Sequence, residues 1–119
     1  MRNPLPKTTQ IRTIGEVFVQ LKLLEFDVQA APPMRDSGND LVAIKGRIIK
    51  LIQVKTTQND DWNLNNLKKV YDLVFLVKLE SEDNRILFDK SKVFVLQEGE
   101  PKSSKVELTK EIVDDLWQK

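Results

Sequence analysis

The sequence predicts an α/β domain in which a long helix precedes a β-hairpin and a shorter helix closes the chain. Three observations predict it. Residues 11–26 lack proline and repeat apolar side chains at helical spacing. Residues 41–44 and 48–55 are β-branched and aliphatic runs separated by Lys45-Gly46-Arg47, the composition of a tight turn. Residues 70–79, VYDLVFLVKL, form the most hydrophobic stretch and read as a central strand.

Element by element, residues 1–9 carry two prolines and read as an extended arm, with Thr8, Thr9 or Gln10 starting the helix. Along that helix Ile14, Val17, Phe18, Leu21 and Leu24 make one apolar side, and Val19, Leu23 and Phe26 another. The expectation is a helix covered on two sides, with Glu16 and Gln20, four residues apart, on the polar strip between them. A first strand over 26–31 ends at Pro32-Pro33. Residues 34–39 form a loop turning at Gly38. The hairpin follows, then a polar loop over 56–66 that contains Trp62, and a short helix near 64–70. After the central strand, 80–84 reads as a turn and 85–96 as one or two strands broken at 89–91. A Gly/Pro/Ser loop at 98–104 precedes a helix over 109–117, with Thr109 as its N-cap and Ile112, Val113 and Leu116 on its apolar face. No repeat, low-complexity segment or domain boundary interrupts the 119 residues, so one domain is expected.

Composition narrows the chemistry. The chain has no cysteine and no histidine. Disulfides, thiolate metal sites and imidazole general bases are therefore excluded. Any metal must be held by oxygen, which points to Mg²⁺, Mn²⁺ or Ca²⁺. With 19 basic and 18 acidic residues the net charge is only +1. A strong non-specific DNA binder carries a plain basic excess, so attraction to nucleic acid would have to come from a metal and a local basic patch. No apolar run is long enough to cross a bilayer, and the first ten residues hold no signal-like stretch. A cytoplasmic location is the expectation.

The chemistry-bearing stretch is 35–57. If Gly46-Arg47 is a two-residue hairpin loop, Lys45 faces Ile48 and Asp40 falls opposite Gln53. A three-residue loop would set Asp40 opposite Ile52, one step away. Opposed residues on antiparallel strands share a face, with Cα atoms about 4.5–5.5 Å apart. Gln53 and Lys55 are two apart and point the same way, whereas Ile52 and Val54 point to the other side. The two-residue loop thus gathers a carboxylate, an amide and an ammonium on one face. Burying such groups unpaired costs about 1–3 kcal/mol each, so their clustering between apolar neighbours needs a reason. A divalent cation supplies one: Asp40 and the Gln53 side-chain oxygen can ligate it, the Val54 carbonyl can add a third oxygen, and Lys55 can activate a water or stabilise phosphate charge.

The run GNDLVAI, a short turn and then IQVKT resembles the Asp…(Asp/Glu)-X-Lys core of the PD-(D/E)XK nucleases. Gly15-Glu16 on the preceding helix is similar to the helical glutamate of many members. The chain looks most like small stand-alone members: intron-associated homing endonucleases with Gln in the second acidic position, and Holliday-junction resolvases. The resemblance spans roughly residues 10–79. It implies a restriction-endonuclease-like core with a mixed central β-sheet flanked by helices, Mg²⁺- or Mn²⁺-dependent endonuclease action on DNA, and a homodimer or higher homo-oligomer. On that reading Asp40, Gln53, Val54 and Glu16 are the metal-binding set, and Asp40, Gln53, Lys55 and Glu16 the catalytic set. The sequence departs from the pattern twice: Asn39 stands where proline gives the family its name, and Gln53 where a carboxylate is usual. The second departure removes a negative charge that Glu16 would restore if the helix turns it toward Asp40.

Competing readings attach to the same residues. Asp40 can be a turn residue capping the Gly38-Asn39 loop, Asp36 can compete with it as a ligand, Glu16 can be an ordinary surface carboxylate, and Lys55 a solvated strand end. Trp62 can stack on a base or anchor its loop. Lys7, Arg12, Arg35, Lys45, Arg47 and Lys50 can form a DNA track or be scattered surface charges. At the level of function, the alternatives are a catalytically inactive nuclease-fold module that binds nucleic acid or an assembly partner, and an interaction domain in which Asp40 and Lys55 lie on different faces.

Overall fold

A computed structural model of the chain describes residues 7–34, 40–65, 67 and 70–118. The expectations for the first part of the arm, for Arg35 and Asp36, and for the turn at Gly38-Asn39 lie outside these residues. So do positions 66, 68 and 69 of the short helix expected near 64–70, and the described residues of that stretch are not helical.

Helix α1 (Lys7–Glu25) buries Phe18, Val19 and Leu23 against a sheet. It ends where Asp27 turns left-handed at φ 65°, which lets the N–H groups of Phe26 and Val28 both donate to the Leu23 carbonyl. That helix end consumes the residues expected to open the first strand, so β1 is only Gln29–Ala31. The remaining elements are β2 (Leu41–Lys45), β3 (Ile48–Thr57), β4 (Leu73–Lys78), β5 (Ser81–Glu82), β6 (Arg85–Ile86), β7 (Lys92–Gln97), β8 (Val106–Glu107) and α2 (Lys110–Leu116).

Six strands form one sheet in the order β1-β2-β3-β4-β7-β8, and β5 and β6 form a separate small hairpin. The β3–β4 pair is parallel and every other neighbouring pair is antiparallel. The sheet is therefore mixed, and the chain is a mixed α/β fold of six central strands with helices. A parallel pair requires a crossover connection. It lies between β3 and β4, and its described residues Trp62, Leu64, Leu67 and Tyr71 cover one face of the sheet. Trp62 seats there against Val74, Leu76 and Leu96, joined by Leu64, Leu67 and Tyr71. Its indole N–H donates to the Val77 carbonyl at 3.0 Å. Lys78 holds Asp60 at 2.6 Å, and Lys102 holds Asp61 at 2.7 Å and the Trp62 carbonyl at 2.9 Å. Trp62 is a loop anchor, not an exposed stacking platform.

The other face carries the main core. Phe18, Val19 and Leu23 of α1 and Val113 of α2 meet Leu41, Ala43, Ile52, Val54, Phe75 and Val77. Both faces of β4 are thus covered, which is why its sequence is continuously apolar instead of alternating. At the chain end, the Thr109 hydroxyl accepts the Ile112 N–H, as expected of an N-cap. Buried Trp117 donates its indole N–H to the Ala43 carbonyl and so docks α2 on the sheet.

One expectation for α1 fails. Val17, Leu21 and Leu24 are 47%, 56% and 59% exposed. The helix is covered on its sheet side only, because α2 contributes to the same layer as α1. The stripe read as a second buried side has nothing over it among the described residues.

Candidate functional site

The hairpin closes through Gly46 and Arg47. Lys45 pairs with Ile48, and the register runs back through Leu41 opposite Ile52. Gly46 has φ 62°, the left-handed first position that a two-residue turn of this hand demands and glycine supplies without strain. The loop is the two-residue alternative of the sequence analysis, but the ladder ends at Leu41: the Asp40 N–H donates to the Ile52 carbonyl, one residue short of Gln53.

Strand lengths then create the site. Strand β3 has 10 residues and β2 has 5. Strand β2 covers β3 from Ile48 to Ile52, and beyond that point the edge of β3 is not paired with β2. Asp40 sits where the two part. Its own N–H donates to the Ile52 carbonyl at 2.9 Å, and its Oδ2 accepts the Val54 N–H at 2.8 Å. The carboxylate thus takes the place of the next β2 carbonyl along the β3 edge. In an antiparallel edge a residue's N–H and C=O point to the same side, so the Val54 carbonyl is also directed toward that opening.

Gln53 and Lys55 lie in register with Val74 and Leu76 of β4, which belong to the face covered by Trp62, Leu64 and Leu67. They share that face, as their spacing predicts. Ile52 and Val54 lie on the α1 side, in the main core. Gln53 is 4% exposed, and Lys55 is half-buried. A cleft of 680 Å³ runs over the open edge, lined by Asp40, Gln53, Val54 and Lys55 and, from the first turns of α1, by Lys7 and Arg12.

Glu16 approaches from α1 without being among the lining residues of the cleft. It is half-buried. Its carboxyl is pushed above the ordinary glutamate range, first by burial and next by the negative charge of Asp40, while Arg12 one turn earlier pulls the other way. A glutamate whose ionisation is opposed by burial and by a neighbouring aspartate, with a buried amide close by, is a donor set that a cation would relieve. Asp40 commits Oδ2 to Val54 in that bond, and Oδ1 is not part of it. Asp40, Gln53 and the Val54 carbonyl are oxygen donors of the type a divalent ion takes, so the chemistry of the lining fits one. No group of three or more acidic side chains that could hold a metal occurs among the described residues, so an amide or a backbone carbonyl has to complete any such set.

Of the six basic residues that the sequence offered as a track, Lys7 and Arg12 line the cleft and Lys45, Arg47 and Lys50 do not. Lys45 is drawn away to the Phe26 carbonyl at 3.0 Å and Asp114 at 3.8 Å. Arg35 and Asp36 lie outside the described residues. The cleft also takes in Thr57, Gln58 and Asn59, which the sequence analysis treated as strand end and loop. Their signal was a polar run, TTQN, directly after Lys55.

No family model and no curated protein matches the chain. Among solved structures it is similar to a bacterial homing endonuclease, I-Ssp6803I. The superposition has a TM-score of 0.58 over 88% of this chain and 77% of that one, at 15% sequence identity. At that identity the likeness defines the fold: a mixed α/β arrangement of the kind found in that nuclease. No described helix is long and apolar enough to cross a membrane.

Proposed function

We propose that the chain is a metal-dependent DNA endonuclease of the PD-(D/E)XK type and that the open edge of β3 is its active site. The observation that carries the reading is the Asp40 carboxylate seated on the Val54 N–H, one step from Gln53 and on the same cleft as Lys55. The fold shared with a homing endonuclease supports it. In this reading Asp40, Glu16, the Gln53 amide oxygen and the Val54 carbonyl hold Mg²⁺ or Mn²⁺. When bound, such an ion acidifies a water and stabilises negative charge on the phosphate.

The chain's own groups do the rest. Lys55 extends its ammonium into the cleft, where it orients the attacking water or neutralises charge that builds on the phosphoryl oxygens. The Val54 N–H fixes the Asp40 carboxylate, so its orientation is set before substrate arrives. Lys7 and Arg12 line the same cleft and attract the flanking phosphates. A homodimer would present two such clefts, one for each strand of a duplex.

A second reading has its own support. Gln53 stands where a carboxylate would complete an acidic trio, and it favours a nuclease-fold module that binds nucleic acid or an assembly partner without cutting. Cleavage of supercoiled, linear, single-stranded and branched DNA, assayed in Mg²⁺ and in Mn²⁺, tests the two readings. Metal-dependent cutting that disappears in Asp40→Ala is expected of the enzyme. Absence of cutting on every substrate, with no divalent binding at millimolar metal, would leave the binding module.

A further inference from the structure

Two local departures from good packing meet at one contact, and both sit beside the cleft. The first is Gly15, a glycine in the interior of a 19-residue helix. Glycine weakens helices relative to alanine, so its presence there needs a compensating reason. The second is the Thr56 hydroxyl, which is buried with no hydrogen-bond partner. Such an orphan is a cost that folded proteins seldom carry. The two are the same contact: a Cβ on Gly15 would lie 1.8 Å from Thr56 Oγ1, 2.8 Å from its Cβ and 2.9 Å from its Cγ2. Non-bonded heavy atoms settle at about 3.5–4.0 Å. Any side chain at position 15 would therefore force α1 away from β3.

What rides on that approach is Glu16. It follows Gly15 directly on α1, and it faces Asp40 closely enough to feel its charge. On the strand side, Thr56 lies two residues beyond Val54, the residue whose N–H holds Asp40. Helix and strand thus meet at Gly15–Thr56: the helix carries Glu16 one residue from the contact, and the strand holds Asp40 through the Val54 N–H two residues from it. We infer that Gly15 is a positioning residue: its missing Cβ lets α1 lie directly on Thr56, and this close approach brings Glu16 and Asp40 to a common cation. The inference rests on the metal-nuclease reading of the cleft. It adds what sets the separation of the two acids, a quantity to which such sites are sensitive at the level of roughly 1 Å.

The test is Mn²⁺ affinity of the full chain by titration calorimetry, below the melting temperature of each variant. Gly15→Ala is expected to weaken Mn²⁺ binding by about 10- to 100-fold. The size swap G15A/T56G, which removes all three Thr56 atoms that the new methyl would strike, is expected to recover affinity to within about 3-fold of wild type. Recovery in the swap supports the assignment even if Gly15→Ala alone does not fold. Wild-type affinity in a folded Gly15→Ala, whatever its melting temperature, would overturn it and leave the metal reading intact. So would a folded swap that binds as weakly as Gly15→Ala. Failure of the wild type itself to bind Mn²⁺ would overturn the metal reading and this inference together, and the Asp40→Ala control separates binding in the cleft from binding elsewhere.

Discussion

The two halves of β3 are built from the same strand and face opposite demands. From Ile48 to Ile52 the strand is paired with β2, and its inward side chains, Ile48 and Ile52, belong to the main core. From Gln53 to Thr57 it is paired with β4 alone, and polar residues crowd in: Gln53, Lys55, Thr56 and Thr57. The first half has β2 along this edge, and on its other edge Leu51 is bonded to Asp72 and Ile52 enters the β4 ladder. A change there acts on stability. The second half leaves backbone donors and acceptors along one edge, and a carboxylate, not a strand, answers the first of them. A site of convergent polar groups is affordable where the ladder stops, because the edge supplies N–H and C=O groups that a paired strand has already spent.

Four experiments can break or sharpen that contrast. The largest effect is expected in the open half. Lys55→Ala should lower metal-dependent DNA cleavage by about 10²- to 10⁴-fold with circular dichroism and melting temperature close to wild type. Cleavage at the wild-type rate would remove Lys55 from the chemistry. In the paired half the response should be the reverse. Ile52 is fully buried, and Ile52→Ala should cost about 2–5 kcal/mol of stability, read as a lower urea midpoint. Its cleavage rate per folded molecule should stay near wild type.

Gln53→Glu sharpens the boundary between the halves. At 4% exposure, a new carboxylate should destabilise the metal-free protein by about 1–3 kcal/mol. With Mn²⁺ present the loss should shrink, because the added charge strengthens binding. A denaturant midpoint that responds to Mn²⁺ no more than the wild type's would argue against Gln53 as a ligand.

The smallest effect concerns Glu16. Its folded-state pKa is raised, so the native state holds its proton to higher pH than the unfolded chain does. Stability from this group is present below the unfolded value and declines as pH rises from the ordinary glutamate value through the folded one. Glu16→Gln should therefore melt slightly above wild type at neutral pH in the absence of metal. The difference should close as the pH is lowered through that window. A gap that widens on acidification would reverse the sign and refute burial beside Asp40 as the cause. Because the side chain is half-exposed, solvent screening keeps the difference small.

Much of this was legible in the chain itself, because the decisive contacts are local. The hairpin register needs only Gly46 and the two flanking runs, and it brings Asp40 within one residue of Gln53, 13 positions away in sequence. Thr109 as N-cap and the continuous apolar run of β4 are equally local signals. The failures are non-local. The described residues of 64–70 are not helical, and nearby Trp62 finds the Val77 carbonyl, a partner 15 residues away. The two-residue strand β8 carries no periodicity to read and exists only as a partner for β7. The apolar stripe Val17-Leu21-Leu24 has the pattern of a buried side and no layer over it, since periodicity records which residues share a face and not what covers that face.

By itself, then, the amino-acid order determined the long helix, the hairpin with its turn, the central strand and the alternation that puts Gln53 and Lys55 on one side, because these depend on backbone geometry over a few residues. Tertiary structure alone decided that β3 outruns β2, that Glu16 comes near Asp40, and that Gly15 lies against Thr56. Those distances join segments 24 to 41 positions apart in the chain, and only the packing of α1 on the sheet sets them.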